Sequence, residues 1–89
     1  MAILHLPVQM SDRAGCASHL QCEGDSVGAV LNHAIGKCPA LHNKIYATPG
    51  RVNRYLRIFI DGEICLSDVH EVKVRPSSEI RILMALAGG

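Results

Sequence analysis

The chain has no apolar run approaching the roughly 20 residues needed to cross a bilayer, so its hydropathy gives no membrane-spanning helix. The segment Met1-Ala2-Ile3-Leu4-His5-Leu6-Pro7 lacks a basic start, a long apolar stretch and a cleavage site. It is therefore not expected to be a signal peptide, and a cytoplasmic location follows by default. Neither sign of charge is in excess: 9 Lys+Arg against 8 Asp+Glu leave a net charge of +1, which argues against an electrostatic nucleic-acid binder. No two cysteines stand at C-x-x-C distance. Cys16, Cys22, Cys38 and Cys65 fit neither the common zinc patterns nor the C-x4-C-x2-C spacing of plant-type ferredoxins. Free thiols that pack as small hydrophobes are expected. His5, His19, His33, His42 and His70 are scattered with no H-x3-H, so no metal site is expected. There is no G-x-S-x-G, no H-E-x-x-H and no phosphate-binding glycine loop. Asp61 and Glu63 read as turn chemistry with solvation. No catalytic constellation remains, and the chain is not expected to be an enzyme.

What is present is globular. The 89 residues are 48% apolar and 19% charged, which suits one folded domain. A chain of this length buries roughly 60–68% of its unfolded surface, leaving no room for a cleft between two domains. Leu4, Leu6, Val8 and Met10 alternate with His5, Pro7 and Gln9, predicting a half-buried strand. Pro7 would face an edge or a bulge. Ser11-Asp12-Arg13-Ala14-Gly15 reads as a turn, and residues 16–22 as a weaker strand forming a hairpin with the first. Ser26 or Asp25 can cap a helix. Val27, Val30, Leu31, Ala34 and Ile35 then recur at helical spacing, with Gly36 and Pro39 marking the end. Gly28 falls on the opposite face from this stripe.

Residues 40–55 read as a connector, with Leu41 and Ile45 anchoring a short helical turn and Pro49-Gly50 turning the chain. Leu56, Ile58 and Ile60, alternating with Arg57 and Phe59, predict a strong strand. Asp61-Gly62 is a two-residue hairpin turn leading into Glu63-Ile64-Cys65. After a second connector and a short segment at Val72 and Val74, Pro76-Ser77-Ser78 turns the chain. It then enters a last strand carrying Ile80, Ile82 and Met84. The order β-β-α-β-β-β, with apolar first and last strands lying parallel at the centre, describes an α+β fold. It is a β-grasp (ubiquitin-like) roll, a mixed sheet of four to five strands packed on one main helix. The domain would span 1–84, with 85–89 a flexible C-terminal Gly-Gly tail.

Two features bear on function. Between Ser26 and Ile60 stand Lys37, Lys44, Arg51, Arg54 and Arg57 with no acidic residue, a pattern that suits either a solvated surface or a docking face for an acidic or nucleotide-linked partner. The second is the chain end, Ile80-Arg81-Ile82-Leu83-Met84-Ala85-Leu86-Ala87-Gly88-Gly89, where a strand runs into small residues and stops at Gly-Gly. With no Cβ, such a tail can thread a narrow channel and present its α-carboxylate for adenylation and attack by a sulfur or amine nucleophile. A frayed terminus is the plainer alternative.

Three stretches carry a family resemblance: Gly24-Asp25-Ser26-Val27-Gly28-Ala29-Val30-Leu31, residues 51–62 from Arg51-Val52-Asn53-Arg54 to Asp61-Gly62, and residues 79–89 ending in Gly88-Gly89. On these the chain resembles the ThiS/MoaD group of ubiquitin-like sulfur carriers. With Pro49-Gly50-Arg51 ahead of the aromatic strand, it is most similar to the carriers of cysteine or homocysteine biosynthesis. One departure is Met84, where the family often has proline in a P-x-x-x-G-G pattern.

The resemblance implies a carrier without catalytic side chains and without a bound cofactor or metal. An E1-like adenylyltransferase/sulfurtransferase would use ATP and Mg²⁺ to adenylate Gly89, and a sulfur donor would displace AMP to leave a thiocarboxylate. Ala85, Leu86, Ala87 and Gly88 would lie in partner clefts. The acceptor would be a biosynthetic enzyme, for cysteine or homocysteine first and for thiamin thiazole or molybdopterin otherwise. A metalloprotease would release the product. No nucleic acid or membrane is implied. Phe59 and Leu83 on the outer strand face, rimmed by Arg57 and Arg81, would form the docking patch. The alternatives are a ubiquitin-like modifier conjugated through Gly89, or an interaction domain with an inert tail.

Overall fold

The computed structural model describes residues 1–48 and 51–84. The chain opens with strand β1 (Ala2–His5), whose alternate residues Ala2 and Leu4 are buried. Pro7 then ends the strand and begins helix α1 (Val8–Ala14). This corrects the expected strand through Met10 and the expected turn at Ser11–Gly15. Proline's fixed φ and missing N–H suit the entrance of a helix. The segment buries Met10 and Ser11 while Val8 is 64% exposed, a pattern that fits one helical face and not the alternation of a strand. The helix stops at Gly15, in the left-handed conformation with φ 73, where a side chain would be strained.

Strand β2 (His19–Cys22) returns antiparallel to β1, with Leu4 opposite Leu20. The expected pairing of the first two strands is present, but a helical turn connects them. Helix α2 (Val27–Lys37) is the main helix. The Ser26 side chain accepts a hydrogen bond from the Ala29 N–H at 3.1 Å, satisfying one of the free donors of the first turn. Val27, Val30, Leu31 and Ala34 are fully buried, as their spacing predicts. Gly28 is also buried, with the His70 ring lying where a Cβ would sit. The reading of Gly28 as lying away from the packed face is thus corrected: the 66–72 connector crosses it at close range, and Gly28 N–H donates to the Val69 carbonyl.

A 3-10 turn (Pro39–Leu41) and the short helix α3 (His42–Ile45) follow, with Leu41 and Ile45 fully buried as expected. Strands β3 (Tyr46–Thr48) and β4 (Arg51–Val52) form a separate two-stranded sheet. Strand β5 (Leu56–Ile60) turns through Asp61-Gly62 into β6 (Glu63–Ile64). Asp61 and Gly62 have φ 50 and 90, the positive angles that a tight hairpin demands. Val72 and Val74 flank an isolated bridge between Ser26 and Lys73. The last strand, β7 (Glu79–Met84), closes the main sheet.

Sheet order is β2-β1-β7-β5-β6, with β1 and β7 parallel and the other neighbours antiparallel. This is the expected β-grasp arrangement: a five-stranded mixed sheet with α2 packed on one face. Ile80 and Ile82 of β7, Leu4 of β1 and Ile58 of β5 meet Val27, Val30 and Leu31 in one core.

Candidate functional site

The central strand β7 leads to the tail. Glu79, Arg81 and Leu83 are exposed while Ile80 and Ile82 are buried, so one strand serves the core on one side and solvent on the other. Antiparallel register places Arg57 opposite Leu83 and Phe59 opposite Arg81. Directly opposed residues share a face, so the four residues expected to form a docking patch stand together on the outer side of the sheet. Phe59 is half-buried, Leu83 is 44% exposed, and Ile64, opposite Phe59, is 43% exposed. Ile64 extends the apolar patch and was missed by sequence reasoning; its place beyond the Asp61-Gly62 turn was the signal that could have found it. A shallow hollow of about 430 Å³ lies on this face, lined by Phe59, Asp61, Gly62, Glu79, Arg81 and Leu83.

Its framework is hydrogen-bonded. Asp61 Oδ1 accepts from the Glu79 N–H at 2.9 Å, and the Asp61 N–H donates to the Glu79 carbonyl at 2.9 Å, tying the hairpin turn to the start of β7. Asp61 therefore does more than serve the turn. The Arg57 guanidinium donates to the Arg54 carbonyl at 2.7 Å and to the Leu56 carbonyl at 3.1 Å, bracing the entrance of β5. On the other side of Arg81, His5 Nε2 and Glu79 Oε1 are 2.9 Å apart, and the His5 and His19 rings meet edge to face at 4.7 Å. No spacing in the sequence signals this pair; strand pairing alone brings His5 opposite His19.

Among the described residues no group of three or more His, Cys, Asp or Glu could hold a metal ion. The four cysteines are free thiols. Burial and a hydrogen bond to Cys38 push the Cys16 thiol up from its usual value, and burial raises Cys22 against the opposing pull of Lys37. Both shifts disfavour the thiolate, the reverse of an activated cysteine. Burial, helped by Asp68, likewise raises the Tyr46 phenol. Ala85, Leu86, Ala87, Gly88 and Gly89, the expected reactive tail, lie outside the described residues, as does the Pro49-Gly50 turn.

No protein-family model matches the chain, and no curated protein matches it in sequence. Solved structures match throughout its length. Mycobacterium tuberculosis CysO, described as an antigen, superimposes with a TM-score of 0.84 at 18% identity, over 97% of this chain and all of its own. A chain of the Amycolatopsis orientalis BexX/CysO complex gives 0.86 at 17% identity, over 100% of both chains. Small archaeal modifier protein 1 from Methanosarcina acetivorans gives 0.83 at 26% identity, over 99% of this chain and 95% of its own. The class is therefore that of β-grasp, ubiquitin-like proteins. Within that class, the chain shares its fold with CysO and with small archaeal modifier protein 1, in agreement with the β-grasp fold that the sequence resemblance implies.

Proposed function

We propose that this protein carries sulfur on its C-terminal carboxylate. The observation that carries the reading is the end of the central strand at Met84, five residues before Gly89 of the Gly88-Gly89 pair, in a fold shared with CysO over nearly the whole chain. An E1-like enzyme activates the tail. A carboxylate oxygen of Gly89 attacks the α-phosphorus of ATP bound with Mg²⁺, and pyrophosphate leaves. Hydrosulfide then attacks the acyl carbon, the acyl C–O bond to phosphate breaks, AMP departs and the sulfur gives up its proton to solvent. The product is a thiocarboxylate whose sulfur is held on a protein and so cannot diffuse away as sulfide. Side chains of this chain take no proton in these steps. Their work is recognition, with Phe59, Leu83 and Ile64 as the apolar centre and Arg57 and Arg81 at the rim. Ala85, Leu86, Ala87 and Gly88 occupy the partner's channel.

The acceptor fits cysteine or homocysteine synthesis best, by the likeness around Pro49-Gly50-Arg51, with thiazole and molybdopterin synthesis as the other destinations. A metalloprotease that frees the loaded amino acid fits the first of these. The setting is the cytoplasm; no helix among the described residues is long and apolar enough to cross a membrane. A second reading has specific support: the structure sharing 26% identity is named a small archaeal modifier protein. Conjugation would use the same activated Gly89, with a lysine amine as the nucleophile. Incubation with the host's E1-like enzyme, ATP and a sulfide source, followed by intact mass measurement, tests the proposal. Exchange of one oxygen for sulfur at Gly89 is expected. Isopeptide-linked ladders that vanish when Gly88-Gly89 is deleted would indicate the modifier instead.

A further inference from the structure

A second surface lies apart from the outer sheet face, at the root of the tail. Gln9, Met10 and Arg13 of α1, Lys44 of α3, Asn53 and Met84 line an open hollow of about 360 Å³. Gln9 and Arg13 are four residues apart and so share one face of their helix. Its polar wall is rich in donors. Arg13 and Lys44 bring two cations. The Asn53 side-chain oxygen already accepts from the Tyr55 N–H at 2.9 Å, which leaves its amide N–H groups. Lys44 is half-buried. Among the described residues neither Arg13 nor Lys44 forms an ion pair with a carboxylate within 4.0 Å. Two cations gathered at a hollow without counter-charge repel each other, and an anion seated between them relieves that cost. Lys44 belongs to the acid-free stretch between Ser26 and Ile60.

We propose that this hollow is a docking site for an acidic peptide segment of the enzyme that activates the tail, with carboxylates of that segment received by Arg13, Lys44 and Asn53. The inference rests on the sulfur-carrier reading for the identity of the partner. Its argument is positional: Met84 forms part of the hollow's wall and is the last residue before the tail, so a protein that grips residues 85–89 necessarily passes this surface. Opposite charges at that point would steer the encounter and fix the direction in which the tail enters. A nucleic acid would satisfy the charges as well, but a net charge of +1 spread over the whole chain gives it little long-range pull.

The test separates this inference from the function it deepens. A ¹⁵N-labelled sample of the full chain is titrated with a glutamate-rich octapeptide, and in parallel with a single-stranded DNA oligomer of equal charge. Saturable shifts centred on Gln9, Arg13, Lys44 and Asn53 are expected with the peptide. The double variant Arg13→Glu/Lys44→Glu should weaken that binding at least fivefold, and Lys73→Glu/Arg75→Glu, at the other end of the sheet, should leave it unchanged. Shifts scattered over all basic residues, equal loss in both variants, or preferential binding of the DNA would overturn the proposal. With the host's E1-like enzyme, the Arg13/Lys44 variant should raise KM for the carrier about tenfold at low salt with kcat kept, and added salt should narrow the gap. An unchanged KM would overturn the partner assignment. If the enzyme fails to adenylate even the wild-type chain, the carrier function falls and with it the assigned partner, whatever the peptide titration shows.

Discussion

The two faces of the main sheet are built from the same strands and have opposite chemistry. On the inner face, Ile80, Ile82, Leu4 and Ile58 are at most 5% exposed and pack against α2. On the outer face, Arg57, Arg81 and Leu83 stay in solvent and Phe59 is half-covered. A strand has a period of two, so a single residue type at each alternate position assigns it to folding or to recognition. The difference teaches that core packing and surface chemistry are separable here, position by position, along β5 and β7, which is what the proposed docking face requires. The proposed carrier, recognised by more than one enzyme while holding one fold, would gain from that separation.

The comparison is most sharply tested on its inner side. Ile82→Ala removes a buried side chain from the central strand and should cost about 2–5 kcal/mol of stability, read from the midpoint of urea unfolding. A loss below about 1 kcal/mol would break the assignment of this face to the core. On the outer side, Phe59→Ala and Leu83→Ala together should weaken binding to the activating enzyme by about 2 kcal/mol, the scale of an interface hot spot, measured by calorimetric titration. The folded state should lose much less than in Ile82→Ala. If the double variant unfolds as readily as Ile82→Ala, the outer residues are structural and the comparison fails.

Smaller effects follow. Ser26→Ala removes the oxygen that caps the Ala29 N–H and should cost about 1 kcal/mol by the same unfolding assay, with partner binding unchanged. Alkaline titration gives the mildest effect. The folded chain holds the Cys22 proton above the usual thiol value of 9.0, because burial outweighs the attraction of Lys37. Below that pH both states are protonated. Above it the unfolded chain loses its proton first, so it binds fewer protons than the folded chain and stability falls as pH rises. Thermal melts should show a downward trend above pH 9 that is shallower in Cys22→Ala.

Much of this was legible in the chain. Helix α2 announces itself through a cap, a five-residue apolar stripe and Pro39 just past its end, while Gly36, expected to mark that end, lies inside the last turn. The β5 hairpin does so through alternation and Asp61-Gly62. The outer patch follows from that alternation once β5 and β7 are neighbours. Helix α1 was not legible by period, because Leu4, Leu6, Val8 and Met10 alternate across a boundary that only Pro7 marks. Gly28 was misread because its close neighbour, His70, belongs to a distant connector. The hollow at the tail root was hidden for the same reason: Arg13 and Lys44 are far apart in sequence, and packing of α1 beside the 3-10 turn and α3 brings them together. The proposed reactive tail is the reverse case, plain in sequence as Gly88-Gly89 and lying outside the described residues.

The central claim is that Gly89 is the sulfur-bearing group. The direct measurement is the intact mass of the chain isolated from its host, with fragmentation to locate any change. The account predicts a fraction of molecules in which sulfur replaces one oxygen at the Gly89 carboxylate, and its loss when Gly88-Gly89 is deleted or a residue is added after Gly89, with the fold unaltered. A terminus that stays unmodified in the host, and also after incubation with the E1-like enzyme, ATP and sulfide, would contradict it.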